Sequence, residues 1–385
     1  NILLDEKSEL NISGGTFTVD TRNNGAWVTN KGNVDLLRSW GTLNVTGGTF
    51  TIYQNSTPVG VSCYRNKATI SGNPVFNIYA NSGARGVIAA PWNSEGYCDK
   101  DATKNIGEVE VNGGTFNIVS VGGTIYGAWA QGSLANGNTY AMNAKATING
   151  GEFICISGGS VYAIRQENTR TGTYGNATAQ MIVNGGKFKA LKGTELSYTS
   201  NEANIYVPSG GGNLTSLTGG YYVNNNQLAT HVADTCVVRT LTDADAEYAN
   251  GYRYVIDINY VAQVKVGSTV KKFTIIKNAF DYFATVNNAT LTILSDCVLA
   301  KYTLTPTVSN WQGIWDLNGK TVTCTSGNYE GLRLQKADAK LTIRDSSAGK
   351  AGLFIRQSTE AAPWGLDIEA GEIVLESGTI KTDAT

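Results

Sequence analysis

The chain holds one histidine in 385 residues, His231. A Ser-His-Asp triad, a Cys-His dyad or a His-rich metal site therefore has nothing to be assembled from elsewhere. His231 itself falls in an irregular stretch and reads as an ordinary loop residue. Charge is also scarce: 16% of residues, 30 basic against 31 acidic, with no run of one sign. That excludes the basic footprint of a nucleic-acid binder and a polybasic membrane patch. No apolar run approaches the roughly 18 to 20 residues of a membrane-spanning helix, so no span is expected. Residues 1–20 already belong to the repeat described below rather than to a signal peptide. The chain stops straight after a strand, at Ile380 to Thr385, and reads as a piece of a longer protein. Six cysteines, with no CxxC pair, are few for a disulfide framework. Cys155 reads as a buried free thiol. Cys63 with Cys98, and Cys297 with Cys324, are positions that could pair, and spacing leaves both pairings open.

What is abundant is glycine, 45 residues, beside Thr, Asn, Val and Ile. Seven times an apolar residue, a small polar residue, a glycine turn and an aromatic recur in one order. The copies start at Ile12, Val45, Ile70, Val111, Ile148, Val183 and Leu217, the Ile70 and Leu217 copies being looser. Their first glycines lie 33, 25, 41, 37, 35 and 34 residues apart. A fixed strand-turn-strand core with connections of variable length marks a solenoid. β-Propeller blades hold a steadier length of roughly 40 to 50 residues.

Two columns are expected to face inward: the residues just named and, after the turn, Phe17, Phe50, Phe76, Phe116, Phe153, Phe188 and Tyr222. Two residues further on, Val19, Ile52, Ile78, Ile118, Cys155 and Ala190 alternate with polar neighbours, the period of a strand with one buried face. A third short strand is expected at Gly25–Val28, Gly60–Cys63, Gly86–Ala89, Gly127–Ala130 and Tyr162–Arg165, with Trp27, Trp129 and Ile164 at one shared position. Three strands per coil predict an all-β, right-handed parallel β-helix over residues 1–225. One coil cannot bury enough surface to offset its own ordering, so stacking must supply the rest.

Residues 226–262 read as an irregular connection. From 263 to 385 a second β-helix unit is expected. Its short capping helix is marked by Phe273, Ile276, Ala279, Phe280 and Phe283 at helical spacing, and its strands fall at 289–294, 316–322, 341–345 and 373–380.

The NGGTF-type turns, Gly219-Gly220-Tyr221-Tyr222 followed by Asn250-Gly251-Tyr252-Arg253-Tyr254, Thr290-Leu291-Thr292-Ile293-Leu294 and Asp316-Leu317-Asn318-Gly319-Lys320 carry a resemblance. They resemble large, repetitive, adhesin-like surface proteins of gut bacteria with pectin-lyase-like right-handed β-helices. The resemblance covers nearly the whole chain. It implies a noncatalytic, extracellular or cell-surface bacterial protein whose variable loops contact glycans or protein partners. Its motifs are structural turns and carry no catalytic roles.

The same fold serves polysaccharide lyases and glycoside hydrolases, so a carbohydrate-active enzyme is the alternative reading, and a mechanical spacer a third. Polygalacturonase-like segments (Asn-Thr-Asp, Asp-Asp, Gly-His-Gly, Arg-Ile-Lys) are absent, and no proline has the Arg two residues before it that pectate lyases carry. Two carboxylates at roughly 5 to 10 Å could still hydrolyse a glycosidic bond, and Glu110, Glu152 and Asp101 are the candidates. Asp243, Asp245 and Glu247 have the alternation of a calcium loop, but Tyr248 stands where an EF-hand needs glycine. Gly319-Lys320-Thr321 ends like a phosphate loop, yet Ile314 occupies the place of the first glycine. No cofactor is expected. As ligand-binding residues the aromatics Trp27, Trp40, Tyr64, Trp92, Tyr97, Trp129 and Tyr140, with Tyr174, are candidates, because aromatic faces stack on the apolar C–H faces of sugars.

Overall fold

The computed structural model describes residues 2–28, 34–90, 99–135, 139–167, 170–194, 197–201, 205–206, 217–225, 228–325, 330–358 and 364–384. Trp92, Tyr97 and Cys98 lie outside them. The chain is predominantly strand, arranged mostly in parallel sheets. It divides into two compact units, Asn1–Asp257 and Ile258–Thr385.

In the first unit the glycine turns stand one above another. The segment after each turn pairs in parallel and in register with its neighbours: Phe50 opposite Phe17 and Phe76, Phe116 opposite Phe76 and Phe153, Phe188 opposite Phe153 and Tyr222. Consecutive rings of this column stack nearly parallel, with centroids 4.6 to 5.4 Å apart. Both predicted inward columns are buried, except that Phe17 is half-buried. The turn-entry side chains form a ladder between repeats: Asn149 Nδ2 donates to Asn112 at 2.8 Å, Asn184 Nδ2 to Asn149 at 2.8 Å and Thr218 Oγ1 to Asn184 at 2.8 Å. An Asn in this column therefore joins one repeat to the next as well as suiting its own turn.

A seven-stranded, all-parallel sheet supplies the other wall, in the order Ile2–Leu4, Asp35–Ser39, Val59–Cys63, Ala84–Ala89, Ile125–Gln131, Val161–Glu167 and Ile205–Tyr206. Four of the five expected third strands lie in it. The fifth does not. Asn24 and Gly25 both take positive φ, 47° and 80°, and Asn23 and Ala26 exchange backbone hydrogen bonds of 2.9 Å. This is the two-residue Asn-Gly hairpin turn, so Gly25–Val28 is no strand, and Asp35–Ser39 takes that place. The shared position is corrected too: Trp129 lies opposite Arg165, while Ile164 lies opposite Ala128.

The stretch expected to be irregular carries structure. Tyr254–Ile258 pairs antiparallel with Tyr221–Tyr222, and Cys236–Thr240 neighbours it in the same sheet. A single helical turn, Ala246–Ala249, lies between them.

In the second unit the helix Ile276–Phe283 buries Ile276, Ala279, Phe280 and Phe283 against a seven-stranded sheet. Phe280 and Phe283 meet Trp315 and Trp311 edge-on at 5.2 and 5.0 Å. Phe273, counted with the helix from its spacing, ends the strand Thr269–Phe273 instead. The expected strand 316–322 is broken: Gln312–Asp316 and Thr321–Thr325 flank a turn in which Asn318 and Gly319 have φ of 48° and 71°. The stretch 373–380 is likewise divided between Trp364–Leu375 and Thr379–Ala384 by Gly378, φ 93°.

Candidate functional site

On the outer face of the seven-stranded sheet, two rows of side chains run across neighbouring strands. One is Asp35, Val59, Arg85 and Tyr126; the other is Arg38, Ser62, Ile88, Trp129 and Arg165. They frame a cavity of about 520 Å³ lined by Asp35, Arg38, Tyr64, Arg85 and Trp129, with Val59, Ile88 and Ala90 as an apolar floor. A glycine column makes this close stacking possible. A Cβ on Gly60, Gly86 or Gly127 would come within 2.4 to 2.6 Å of the carbonyl oxygen of the next strand.

Asp35 is buried at 2% exposure, and its Oδ2 accepts from Arg38 Nε at 2.8 Å, Ser62 Oγ at 2.6 Å and Tyr64 Oη at 3.0 Å. Burial first, then the Asp35 charge, pushes the Tyr64 hydroxyl up, so it stays a donor. Trp129 is 4% exposed, with the guanidiniums of Arg85 and Arg165 centred 4.5 and 4.0 Å from its ring. Cation–π contacts of this kind are worth about 2 kcal/mol when desolvated. At 4% exposure Trp129 has little ring surface to offer a sugar. Burial lowers the proton affinity of Arg85, with Asp35 opposing, but a guanidinium keeps its charge at any ordinary pH.

Trp40 lies edge-on against Tyr64, centroids 5.0 Å apart, and its carbonyl accepts from Asn66 Nδ2 at 2.6 Å. It supports the cavity from behind. Trp27 lines a separate, shallower trough of about 350 Å³ with Arg22, Tyr53, Tyr79, Val119 and Val121. There Tyr53 and Tyr79 stack at 4.8 Å, and Arg22 lies 3.5 Å above the Tyr53 ring, so the pair offers mainly ring edges. Tyr140 packs on Tyr174 at 5.3 Å, and neither is among the residues lining the two concavities.

Each candidate carboxylate is engaged. Glu110 forms an ion pair with Lys67 and accepts from Asn112 at 3.0 Å; the Lys67 hydrogen bond, above all, lowers its pKa. Glu152 accepts from Tyr252 Oη at 2.6 Å and lies 3.5 Å from Lys189. Asp101 caps the short 3-10 turn Ala102–Lys104 through Thr103, whose hydroxyl lowers its pKa. Glu110 and Asp101 are thereby held ionised, whereas a glycosidase needs one carboxyl held protonated.

Asp245 takes Arg239 at 3.0 Å and the Thr242 N–H at 2.9 Å, which bring its pKa down to about 2. Glu247 turns to Lys187 at 2.7 Å, and Asp243 is exposed. Among the described residues no group of three His, Cys, Asp or Glu side chains could hold a metal ion. The supposed calcium loop is thus an Arg- and Lys-anchored turn. Cys297 and Cys324 are free thiols: Cys324 stands opposite Leu299, and Cys297 opposite Val322. Cys63 and Cys155 are buried and free, with burial pushing the Cys63 thiol up to about 12; Cys98 lies outside the described residues.

Asp35, Arg38, Arg85 and Arg165 escaped the sequence reading. The signal that could have found them is the return of arginine in the third strands of repeats whose other residues are small or apolar. Comparison with protein-family models, with curated proteins and with solved structures gives no match to this chain.

Proposed function

We propose that the protein is a noncatalytic, adhesin-like surface protein of bacterial origin, each unit a right-handed parallel β-helix, and that the first unit binds saccharides in the cavity of the seven-stranded sheet. The observation that carries this reading is the cavity itself. A volume of about 520 Å³ floored by Val59, Ile88 and Ala90 and walled by Asp35, Arg38, Tyr64, Arg85 and Trp129 offers apolar contact beside hydrogen-bonding groups, the mixture that suits a sugar ring. The partnered state of Glu110, Glu152 and Asp101 supports the noncatalytic side of the reading. The parallel, in-register pairing of repeat after repeat supports the β-helix.

The test is to incubate the chain with plant, host and microbial polysaccharides while following polymer size and protein retention. Retention without shortening is expected. Shortened polymer would establish the enzyme instead, and absence of both across the panel would leave a spacer.

A further inference from the structure

Two hydrogen-bond donors in the cavity wall have no acceptor among the described residues: Arg85 Nε and Trp129 Nε1, both buried. Both side chains line the cavity, and Trp129 is 96% removed from solvent, being 4% exposed. Both atoms are closed off within the wall, so a ligand in the cavity meets Arg85 through the rest of its guanidinium, which can only donate. The charges of the wall point the same way. Asp35 gives its Oδ2 to Arg38, Ser62 and Tyr64. Arg38 is thereby compensated. Arg85 makes no ion pair among the described residues; its contact is the Trp129 ring. Arg85 is left as a largely desolvated cation with no ion pair of its own among the described residues, helped only by the nearby charge of Asp35, and an anion in the cavity relieves it.

Resting on the saccharide reading above, we infer that this cavity takes a carboxylate-bearing sugar, the carboxylate pairing with the guanidinium of Arg85 while the C–H face of the ring lies on Val59, Ile88 and Ala90. A hydroxyl would leave the charge of Arg85 without an ion pair. A carboxylate brings two oxygens and a full negative charge, and charge-assisted bonds are the strong ones. A carboxylate without a ring would leave the apolar floor uncovered.

Calorimetric titration with disaccharides ending in glucuronate or N-acetylneuraminate, their carboxyl-reduced counterparts, and glutarate tests this. The acidic sugars are expected to bind at least about tenfold more tightly than the reduced ones, the scale of one charged hydrogen bond. Arg85→Gln should weaken them by about ten- to a hundredfold and bring their affinity close to that of the reduced sugars. Equal binding of acidic and reduced sugars would overturn the carboxylate inference and leave the saccharide reading standing; binding of none would overturn both. Acidic-sugar binding indifferent to Arg85→Gln would remove the assignment to this cavity, and glutarate binding as well as the sugars would remove the sugar. Should a variant fail to fold, the comparison of acidic with reduced sugar on the unaltered protein decides.

Discussion

The two glycines of each repeat serve different physical ends. The second takes positive φ, as at Gly48 (103°), Gly151 (87°) and Gly186 (97°), where an L side chain is strained by about 1 to 2 kcal/mol. The first is needed for closeness: a Cβ on Gly150 would lie 2.6 Å from the Asn112 carbonyl oxygen, and one on Gly185 2.5 Å from that of Asn149. Gly14 meets nothing within 4 Å. Gly150→Ala should therefore cost about 1 to 3 kcal/mol, whereas Gly14→Ala should stay within about 0.5 kcal/mol of the parent. Chemical denaturation of both variants checks the contrast, and equal losses would refute the two-role account. The aromatic after the turn is the other determinant. Phe116 is fully buried between Phe76 and Phe153, and Phe116→Ala should cost about 3 to 5 kcal/mol in the same assay.

Among the elements, the strand ends of the second unit show how turns are held without a ligand. Asp345 accepts from the N–H groups of Ser347 at 2.9 Å and Gly319 at 2.8 Å and from that of Gly352. Burial pushes its pKa up, but these donors outweigh burial and hold it below the ordinary carboxylate value. A carboxyl with a lowered folded pKa stabilises the protein above its unfolded value, near 3.9, and that stabilisation is lost as pH falls through the folded value. Thermal unfolding of the second unit should thus worsen below about pH 4, and Asp345→Asn should flatten that dependence. An unchanged pH profile in the variant would show that other acids govern it. The repeat strands were legible because period-two burial follows directly from the alternation of apolar and polar residues along the chain. The third strand of the first repeat was not, because the Asn24-Gly25 pair closes a local hairpin whose turn geometry outweighs the pull of an apolar tetrapeptide toward a strand.

For the molecule as a whole, the acids that sequence offers for catalysis are each paired or hydrogen-bonded within the fold. A combined Glu110→Gln, Glu152→Gln, Asp101→Asn variant is expected to retain saccharides as the parent does, in the same retention assay. It should be only modestly less stable, since exposed pairs contribute about 0 to 1 kcal/mol each. Loss of retention with the fold intact would move the binding site from the seven-stranded sheet to these acids.

By itself the sequence determined the mostly-β class, the stacking of seven glycine turns and the two inward columns, because those properties depend on residue size, φ preference and a period of two. The helix Ile276–Phe283 followed from spacing in the same way. What only the tertiary structure decided is which side chains meet across repeats. Arg38, Arg85, Trp129 and Arg165 are separated by 36 to 47 residues of varying connection, and their meeting depends on the register of parallel strands, which a connection can shift by one residue and so turn a side chain from one face to the other. Trp129 was therefore recognised as an aromatic of the third strand. That its buried ring lies within cation–π distance of two guanidiniums emerges only once Arg85 and Arg165 are brought beside it.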